Sequence, residues 1–183
     1  MRKNFGVKSW LYPQPVLIIG TYDEEGKPDA MNAAWGGQYS SNQVMLALGN
    51  HKTTENIRIK GAFTVSFATA SQVVASDYVG IVSASDTPDK MEKSGFTTTK
   101  SEFVDAPVIN ELPLTLECKL VKFNEDGKVI GEIINVSADE SILDGDKIDA
   151  GKLDAIIFDP ANAAYLKLGE KVGNAFQDGA QLK

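Results

Sequence analysis

The stretch Asp29-Ala30-Met31-Asn32-Ala33-Ala34-Trp35-Gly36-Gly37 tells most about the fold of this chain. Small residues follow one another here, at positions where a β-strand ordinarily carries bulky side chains. Small side chains let a flat ring or a phosphate chain come close to the backbone, whose N–H groups then act as donors. The alternative is a strand packed tightly against a helix or a second subunit, and this stretch alone leaves both interpretations open.

Apolar, β-rich runs lie on both sides of this stretch. Residues 16–22 form one such run, and the polar segment 23–27, which contains Gly26, predicts a hairpin turn after it. Further short strands are predicted over residues 43–49 and 62–68, the second because large and small side chains alternate along it. The first third of the chain is therefore predicted to be mostly strand.

Three helices are predicted among these strands. Thr53 or Thr54 is placed to cap a helix over residues 55–60, which Gly61 ends. Ser71 opens a second helix that runs through Val82, and Pro88 lies in the first turn of a third, which ends at Gly95.

The second half of the chain is β-rich. Apolar and polar side chains alternate over residues 114–123, which predicts a strand with one buried face and one solvent face. A hairpin turn at 124–127 leads into a return strand at 129–136, and two short closing strands are predicted at 156–158 and 164–168. The pattern predicts a mainly β protein with helical insertions, built as a β-barrel in a single domain over residues 1–183.

Composition and charge exclude several classes of protein. Lys and Arg number 18 and Asp and Glu 25, for a net charge of −7 and a pI near 4.7. A nucleic-acid partner is therefore not expected, because polyanion-binding proteins cluster basic residues. No apolar run is long enough to cross a membrane, and no signal peptide is predicted. With the single cysteine Cys118 and the single histidine His51, we expect a cytoplasmic protein without a disulfide or a metal site.

Familiar catalytic motifs are absent from the sequence. There is no GxSxG, no Walker A loop, no HExxH and no glycine fingerprint of a dinucleotide-binding fold. A Ser-His-Asp triad would have to use His51, and nothing around it marks a nucleophile. No catalytic residue is assigned from the sequence, and an enzyme of this kind is expected to take its chemistry from a cofactor.

Three further segments could bind a ligand, and each also has a purely structural interpretation. Residues 49–57 place Lys52 and two threonines at a predicted helix N-terminus, which suits a phosphate, although simple capping with Lys52 in solvent would give the same pattern. Lys90 follows the segment 77–83 and is positioned for a phosphate or a ring edge, or else is a solvated lysine. Residues 165–173 either close the barrel or complete the binding site of a neighbouring subunit, and we prefer the interpretation that they close the barrel.

Taken together, these segments resemble the flavin reductase-like family of FMN-binding split barrels, and its flavoredoxin branch most closely. The resemblance runs from about residue 10 to 176. The features that carry it, in chain order, are Tyr12-Pro13-Gln14-Pro15, Gly26, Asn32-Ala33-Ala34-Trp35, His51-Lys52-Thr53-Thr54-Glu55-Asn56-Ile57, Phe63-Thr64-Val65-Ser66-Phe67, Asp77-Tyr78-Val79-Gly80, Asp89-Lys90, Gly95-Phe96, Pro113-Leu114-Thr115-Leu116-Glu117-Cys118, Gly131-Glu132 and Tyr165-Leu166-Lys167-Leu168-Gly169. The resemblance rests on the order and spacing of these features more than on any one of them.

The resemblance implies a split β-barrel that forms a homodimer, with one FMN per subunit near the interface. It places the flavin ring along residues 30–35 and the ribityl-phosphate at the loop 51–56. The cofactor-binding residues expected on this basis are Met31, Asn32, Ala33, Ala34, Trp35, Gly49, His51, Lys52, Thr53, Thr54, Asn56, Ser83 and Lys90.

The function implied is that of an FMN-dependent oxidoreductase. It would move electrons from NAD(P)H or a redox protein through FMN to a small acceptor. Two alternatives remain open at this point. The first is a non-catalytic FMN-binding electron carrier, and the second is a dimeric β-barrel that binds another ligand. Related flavin reductases often contact nicotinamide through a histidine, and none follows His51 in this chain.

Overall fold

The computed structural model describes residues 1–183 and contains fourteen strands and four α-helices. The strands are β1 (Gln14–Pro15), β2 (Leu17–Tyr22), β3 (Pro28–Ala33), β4 (Gly36–Ser40), β5 (Gln43–Ala47), β6 (Ala62–Phe67), β7 (Thr98–Lys100), β8 (Pro107–Ile109), β9 (Leu114–Phe123), β10 (Lys128–Ala138), β11 (Leu143–Asp144), β12 (Lys147–Ile148), β13 (Ile156–Asp159) and β14 (Ala164–Lys167). The α-helices are α1 (Lys52–Lys60), α2 (Val73–Ile81), α3 (Lys90–Ser94) and α4 (Ala150–Leu153). Short 3₁₀ helices cover Ala70–Gln72, Glu140–Ile142 and Asp178–Leu182.

Seven antiparallel strands form one curled sheet, in the order β3-β2-β6-β9-β10-β5-β4. Strands β3 and β4 stand at opposite edges of this sheet, yet only Ala34 and Trp35 separate them in the chain. The two edges must therefore meet, and the backbone N–H of Ala47 in β5 donates to the carbonyl of Trp35 over 2.8 Å. The sheet closes into a barrel at this end and stays split elsewhere. The prediction of a mainly β, split barrel with helical insertions is confirmed.

Two apolar clusters hold the barrel and its helices together. The first fills the inside of the curled sheet and centres on the fully buried Phe63, Leu46 and Ile19. The second lies between the other face of β2 and helix α2, where Ile18 packs with Val79. Because α2 is packed against the sheet in this way, its C-terminal end stands over β3, and this position defines the two cavities described below.

The predicted helices are present, with different starting points. Helix α1 begins at Lys52 after His51, because the Thr54 hydroxyl accepts from the backbone N–H of His51 over 2.9 Å. Its predicted end at Gly61 is confirmed, with a φ of 64°. A 3₁₀ turn precedes α2, so Ser71 lies outside the α-helix proper. Helix α3 begins at Lys90, and Pro88 is not in its first turn as predicted but precedes the cap residue Asp89.

Strand β9 has the predicted bounds, but only Lys119 of its alternating polar side chains Thr115, Glu117 and Lys119 is exposed. Thr115 and Glu117 are almost fully buried. The loop between β7 and β8 covers this face, and its Ser101 hydroxyl donates to one Glu117 carboxylate oxygen. The Asn135 amide donates to the other oxygen over 2.7 Å. The alternation correctly predicted a strand but could not reveal the loop that covers it.

Both ends of the chain lie outside these clusters. The first thirteen residues and the segment after β14 are exposed, and both carry bulky apolar side chains such as Trp10 and Phe176. None of the helices has the length and apolar character required to span a membrane.

Candidate functional site

A cavity of about 310 Å³ opens between the start of α1, strand β3 and the C-terminal end of α2. The sequence-predicted residues that line it share one feature, a polar or sulfur-bearing side chain. They are Met31, Asn32, His51, Lys52, Thr53, Ser83 and Lys90. Residues far apart in the chain thus meet at one cleft, as expected for a binding site. We call it the basic cavity after Lys52 and Lys90, although Asp29 and Asp86 also line it.

The floor of the basic cavity is a buried ion pair. The Lys90 ammonium lies 3.3 Å from Asp29 Oδ1, and both side chains are nearly inaccessible to solvent. The Thr53 hydroxyl donates to Asp29 Oδ2 over 2.6 Å. Burial lowers the pKa of Lys90, and the adjacent Asp29 carboxylate opposes that shift. Lys90 is therefore neither a solvated lysine nor an isolated cation. The Thr53 hydroxyl donates its proton to Asp29 within the protein.

The wall beside this ion pair is the first turn of α1. Lys52 is about one-third exposed, and its ammonium lies 3.7 Å from Glu55. The leading N–H groups of a helix have no acceptors within the helix, and the helix dipole gives them a partial positive charge. With Lys52 and Lys90, this end of the cavity is suited to an anion. Thr54 instead caps the helix, because its hydroxyl accepts from the backbone N–H of His51 over 2.9 Å, and it also donates to the His51 carbonyl over 2.7 Å.

A smaller cavity of about 210 Å³ adjoins the basic cavity and shares Asp29, Lys52 and Lys90 with it. Asn56 lines this space and is fully buried, yet its side-chain oxygen has no hydrogen-bond partner. Its amide nitrogen donates to the Thr21 hydroxyl over 3.1 Å. Because that hydroxyl can also donate, the opposite amide orientation would keep the bond and present an N–H₂ donor at the cavity.

A second cavity of about 260 Å³ lies on the other side of Asn32. We call it the aromatic cavity, because Trp35, Phe158 and Tyr165 line it together with Asp77. The Tyr165 hydroxyl donates to Asp77 Oδ1 over 2.7 Å. Burial and the Asp77 carboxylate together raise the pKa of Tyr165 to about 12.

Helix α2 separates the two cavities where it crosses β3. Gly80 makes this crossing possible, because a Cβ atom there would lie 2.8 Å from the Cβ of Asn32. The Asn32 amide donates to the carbonyl of Ser76 over 3.0 Å and ties the strand to the helix. Asn32 consequently faces both cavities.

Some sequence-predicted residues do not line the basic cavity. Ala33 is buried in the barrel core, and Gly49 and Thr54 shape the loop and cap before α1. Asn56 lines only the small adjoining cavity, and Ala34 and Trp35 only the aromatic one.

The sequence interpretation missed Asp29, Asp77, Gly80 and Tyr165. These residues stood inside the quoted motifs, but no local pattern says that an aspartate in a strand will meet a lysine 61 positions away. No group of three or more His, Cys, Asp or Glu side chains gathers where it could hold a metal ion.

Comparison with known proteins agrees with this architecture. The model of the flavin reductase like domain matches residues 9–152. An uncharacterized protein of Archaeoglobus fulgidus is 32% identical over 142 residues, which cover 74% of this chain and 78% of that protein. The structure of flavoredoxin from Desulfovibrio vulgaris (Miyazaki F) is 37% identical, with a TM-score of 0.94 over 98% of this chain and 100% of the other. Flavoredoxin from Methanosarcina acetivorans is 27% identical, with a TM-score of 0.89 over the whole of both chains.

Proposed function

This chain belongs to the flavin reductase-like family, and from that premise we propose that it is an FMN-binding oxidoreductase that moves electrons between a nicotinamide or redox-protein donor and a small acceptor. The relatives named as flavoredoxins support this proposal, since they are similar over nearly the whole chain. The proposal treats residues 1–183 as one functional domain.

The observation that carries the proposal is the buried ammonium of Lys90 at the floor of the basic cavity. Burying a cation costs free energy unless a partner offsets it. Asp29 offsets the charge only from one side, which leaves Lys90 able to attract an anionic ligand from the cavity. Lys52 and the start of α1 add positive charge on the adjacent wall. We assign the FMN phosphate to this end.

The buried Asn56 amide supplies an independent test of the fit. Its unpartnered oxygen, or the N–H₂ group after an amide flip, can bond to a phosphate-bearing ligand with hydroxyl groups, because such a ligand offers both donors and acceptors. An apolar ligand would leave this buried polar atom unpaired, at a cost of about 1–3 kcal/mol. The residues present therefore fit a polar, phosphorylated cofactor.

The flavin ring is assigned to the segment from Met31 to Trp35. The small side chain of Ala34 leaves space in the aromatic cavity and Asn32 faces both cavities, so a flat ring can lie along this segment. When bound, FMN would supply hydride and single-electron chemistry that no side chain here can perform. The role of the protein is then to orient the ring, donate hydrogen bonds to it and hold the phosphate.

A homodimer is part of the proposal. An apolar pocket of about 350 Å³ opens at the curled sheet, lined by the buried Leu17 and Val44 and the partly buried Phe67 among others. The exposed apolar terminal segments add surface that a monomer leaves in water. Grouped apolar surface of this kind is typical of protein–protein interfaces.

The experiment that tests the cofactor assignment needs no donor or acceptor. Protein purified without added flavin is examined by absorbance between 300 and 550 nm, and any released chromophore is identified by chromatography. We expect flavin absorbance with FMN released. A colourless protein that fails to quench the fluorescence of added FMN would favour a barrel that binds another ligand.

A second measurement separates an enzyme from an electron carrier. The FMN-loaded protein is mixed with NADH or NADPH under nitrogen, and the flavin absorbance is followed. We expect bleaching. If the flavin stays oxidised with both nucleotides but is reduced by a redox protein, the chain is an electron carrier.

A further inference from the structure

Another cavity lies at the far end of α1 from the basic cavity. It has a volume of about 460 Å³ and opens broadly to solvent. Lys60 from the last turn of α1, Lys100 from β7 and Lys119 from β9 line it. We call it the lysine recess. None of these three lysines lines the cavities assigned to the flavin, so the recess is a separate feature of the surface.

The lysine recess carries an excess of positive charge. Its three lysines face two carboxylates, those of Glu102 and Asp105. The Asp105 carboxylate is shared, since it lies 3.8 Å from the Lys60 ammonium and 3.3 Å from the Lys100 ammonium. Lys119 is exposed and forms no ion pair. On a chain with a net charge of −7, such a spot is where an acidic partner is attracted and not repelled.

Positive charge continues next to the recess. The Arg58 guanidinium lies 3.8 Å from the centroid of the Phe123 ring, which brings the last turn of α1 against the end of β9. Lys122 is the exposed neighbour of Phe123. The Lys60 ammonium also donates to the carbonyl of the exposed Glu24 over 3.3 Å. Among the residues that these contacts bring together, basic side chains outnumber acidic ones.

An exposed aromatic ring stands among these charges. Phe103, in the loop between β7 and β8, is 51% exposed and lines the recess. The Ser101 hydroxyl accepts from the backbone N–H groups of Phe103 and Val104 over 3.0 Å each, and it donates to the buried Glu117 carboxylate. The loop is therefore fixed before a partner arrives, which lowers the entropic cost of binding. An aromatic side chain within a charged rim is typical of a protein–protein interface.

We propose that the lysine recess, with Phe103, is the docking surface for the acidic face of an electron-transfer protein. Carboxylates of the partner pair with Lys100 and Lys119, and apolar contact with Phe103 excludes water. Encounters between redox proteins bury little surface, so a shallow recess is sufficient. That the partner carries electrons rests on the proposed function; the preference for an acidic protein surface does not.

The first test uses three small electron-transfer proteins as probes. A plant-type two-iron ferredoxin and a flavodoxin are acidic, and cytochrome c is basic. Each is titrated into the ¹⁵N-labelled protein, and amide NMR signals are followed. We expect an acidic probe to perturb residues 58–61, 100–105 and 119, and its affinity to fall at least about tenfold when the ionic strength rises from about 0.05 M to about 0.5 M. Perturbation confined to another surface, none with either acidic probe, or the same perturbation by cytochrome c would overturn the proposal.

Two pairs of charge reversals locate the binding. Lys100→Glu with Lys119→Glu should weaken the acidic probe at least about tenfold. Lys147→Glu with Lys171→Glu makes the same change of charge at exposed positions outside the recess and should have little effect. Equal effects of the two pairs would mean that only the net charge matters, and the surface assignment would be wrong. Near-UV circular dichroism verifies that each variant keeps its fold.

Self-association is the competing explanation for this surface. Sedimentation velocity compares the unaltered protein with the Lys100→Glu, Lys119→Glu variant. We expect the same oligomeric state for both. If the reversal dissociates an oligomer, the recess joins copies of this chain and the proposal is wrong.

A rate measurement separates the docking surface from the proposed function. Reduced ferredoxin is mixed with the FMN-loaded protein under nitrogen, so that the cluster gives up its electron and the flavin gains it. We expect the Lys100→Glu, Lys119→Glu variant to lose flavin absorbance about tenfold more slowly, with no change when dithionite is the reductant. Equal rates with ferredoxin would overturn the docking surface alone. An unaltered protein that binds ferredoxin at the recess but is not reduced by it would overturn the electron-transfer role and leave the acidic docking surface standing.

Discussion

At the scale of single residues, the ion pair between Lys90 and Asp29 distinguishes this site from a surface patch of lysines. Its two charges are both buried. Removing one partner of such a pair leaves the other charge uncompensated, whereas replacing both can be nearly neutral. The pair therefore contributes both to the stability of the fold and to the ability of the basic cavity to bind an anion.

Lys90→Met should lower the free energy of unfolding of the FMN-free protein by about 3–5 kcal/mol, the usual cost of a broken buried pair. The double variant Asp29→Asn with Lys90→Met should recover most of that loss. Lys93→Met, in an exposed pair 3.0 Å from Asp89, should change the stability far less, because solvent screens exposed ion pairs. Urea denaturation measures all three. A double variant as unstable as Lys90→Met would mean that Asp29 is not the partner that matters.

The hydroxyl of Tyr165 gives a second prediction at this scale. In a titration of tyrosine absorbance near 295 nm, one group should ionise near pH 12, because burial and the Asp77 carboxylate disfavour the phenolate. Tyr165→Phe should remove that late step. Asp77→Asn should lower the pKa, since the repelling charge is gone. An unchanged late step in Tyr165→Phe would assign it to another tyrosine.

Individual residues were the hardest feature to predict from the sequence. The helix start at 52–56 was expected to collect donors for a phosphate, and Lys52 does line the cavity. The two threonines make other contacts in the structure: the Thr53 hydroxyl donates to Asp29, and Thr54 caps α1. Which hydroxyl faces a ligand depends on rotamers and on partners distant in the chain, and no local pattern contains that information.

At the scale of elements, the crossing of α2 over β3 positions both cavities. Gly80 permits this contact because it lacks a side chain. A Cβ atom 2.8 Å from the Cβ of Asn32 cannot be accommodated unless the helix moves away from the strand. The distance between β3 and α2, which carry candidate residues, is thus set by Gly80.

Gly80→Ala should lower the free energy of unfolding by about 1–3 kcal/mol, the usual cost of overpacking. It should also weaken binding of the flavin, because the same shift changes the walls of both cavities. Gly37→Ala is the control, since nothing lies within 4 Å of the added atom. Thermal denaturation and flavin-fluorescence titration of the two variants test this, and equal behaviour would contradict the role given to the crossing.

Elements were predicted much better than residues. Strand β9 has the expected bounds, and the helix end at Gly61 is as expected, because alternation and positive-φ glycines are local signals. Strand β4 was not predicted, since Gly36 and Gly37 weaken any strand signal there. It forms by pairing with β5 across the short turn at Ser41 and Asn42, a hairpin that the sequence interpretation did not identify.

At the scale of the whole molecule, several turns are held by hydrogen bonds to carboxylates. We therefore expect the stability of the protein to fall in acid. Asp159 accepts bonds from the Asn162 side chain and from the backbone N–H groups of Ala161 and Asn162, and these lower its pKa. Neighbouring lysines, the Ser141 side chain or backbone N–H groups likewise lower the pKa values of four other carboxylates, those of Asp89, Asp126, Asp139 and Asp149. A carboxyl group with a lowered native pKa stabilises the fold above its unfolded pKa and loses that contribution as the pH falls through the native pKa.

The free energy of unfolding should therefore fall as the pH drops below about 4, the ordinary range of aspartate. Asp159→Asn should be less stable than the unaltered protein at neutral pH, and the gap should narrow in acid. Urea denaturation at several pH values measures both curves. A constant gap would show that the charge of Asp159 contributes nothing to the turn.

The measurement that tests the central claim most directly compares FMN with riboflavin, which lacks only the phosphate. FMN-free protein is titrated with each flavin, and fluorescence quenching gives the dissociation constants. We predict that FMN binds about 10- to 100-fold more tightly, the equivalent of about 1.5–3 kcal/mol for hydrogen bonds to a charged group. Lys52→Met should reduce that ratio, and Lys119→Met, an exposed lysine outside both cavities, should not. Equal affinity for the two flavins, or a ratio unaffected by Lys52→Met, would contradict the placement of the phosphate in the basic cavity.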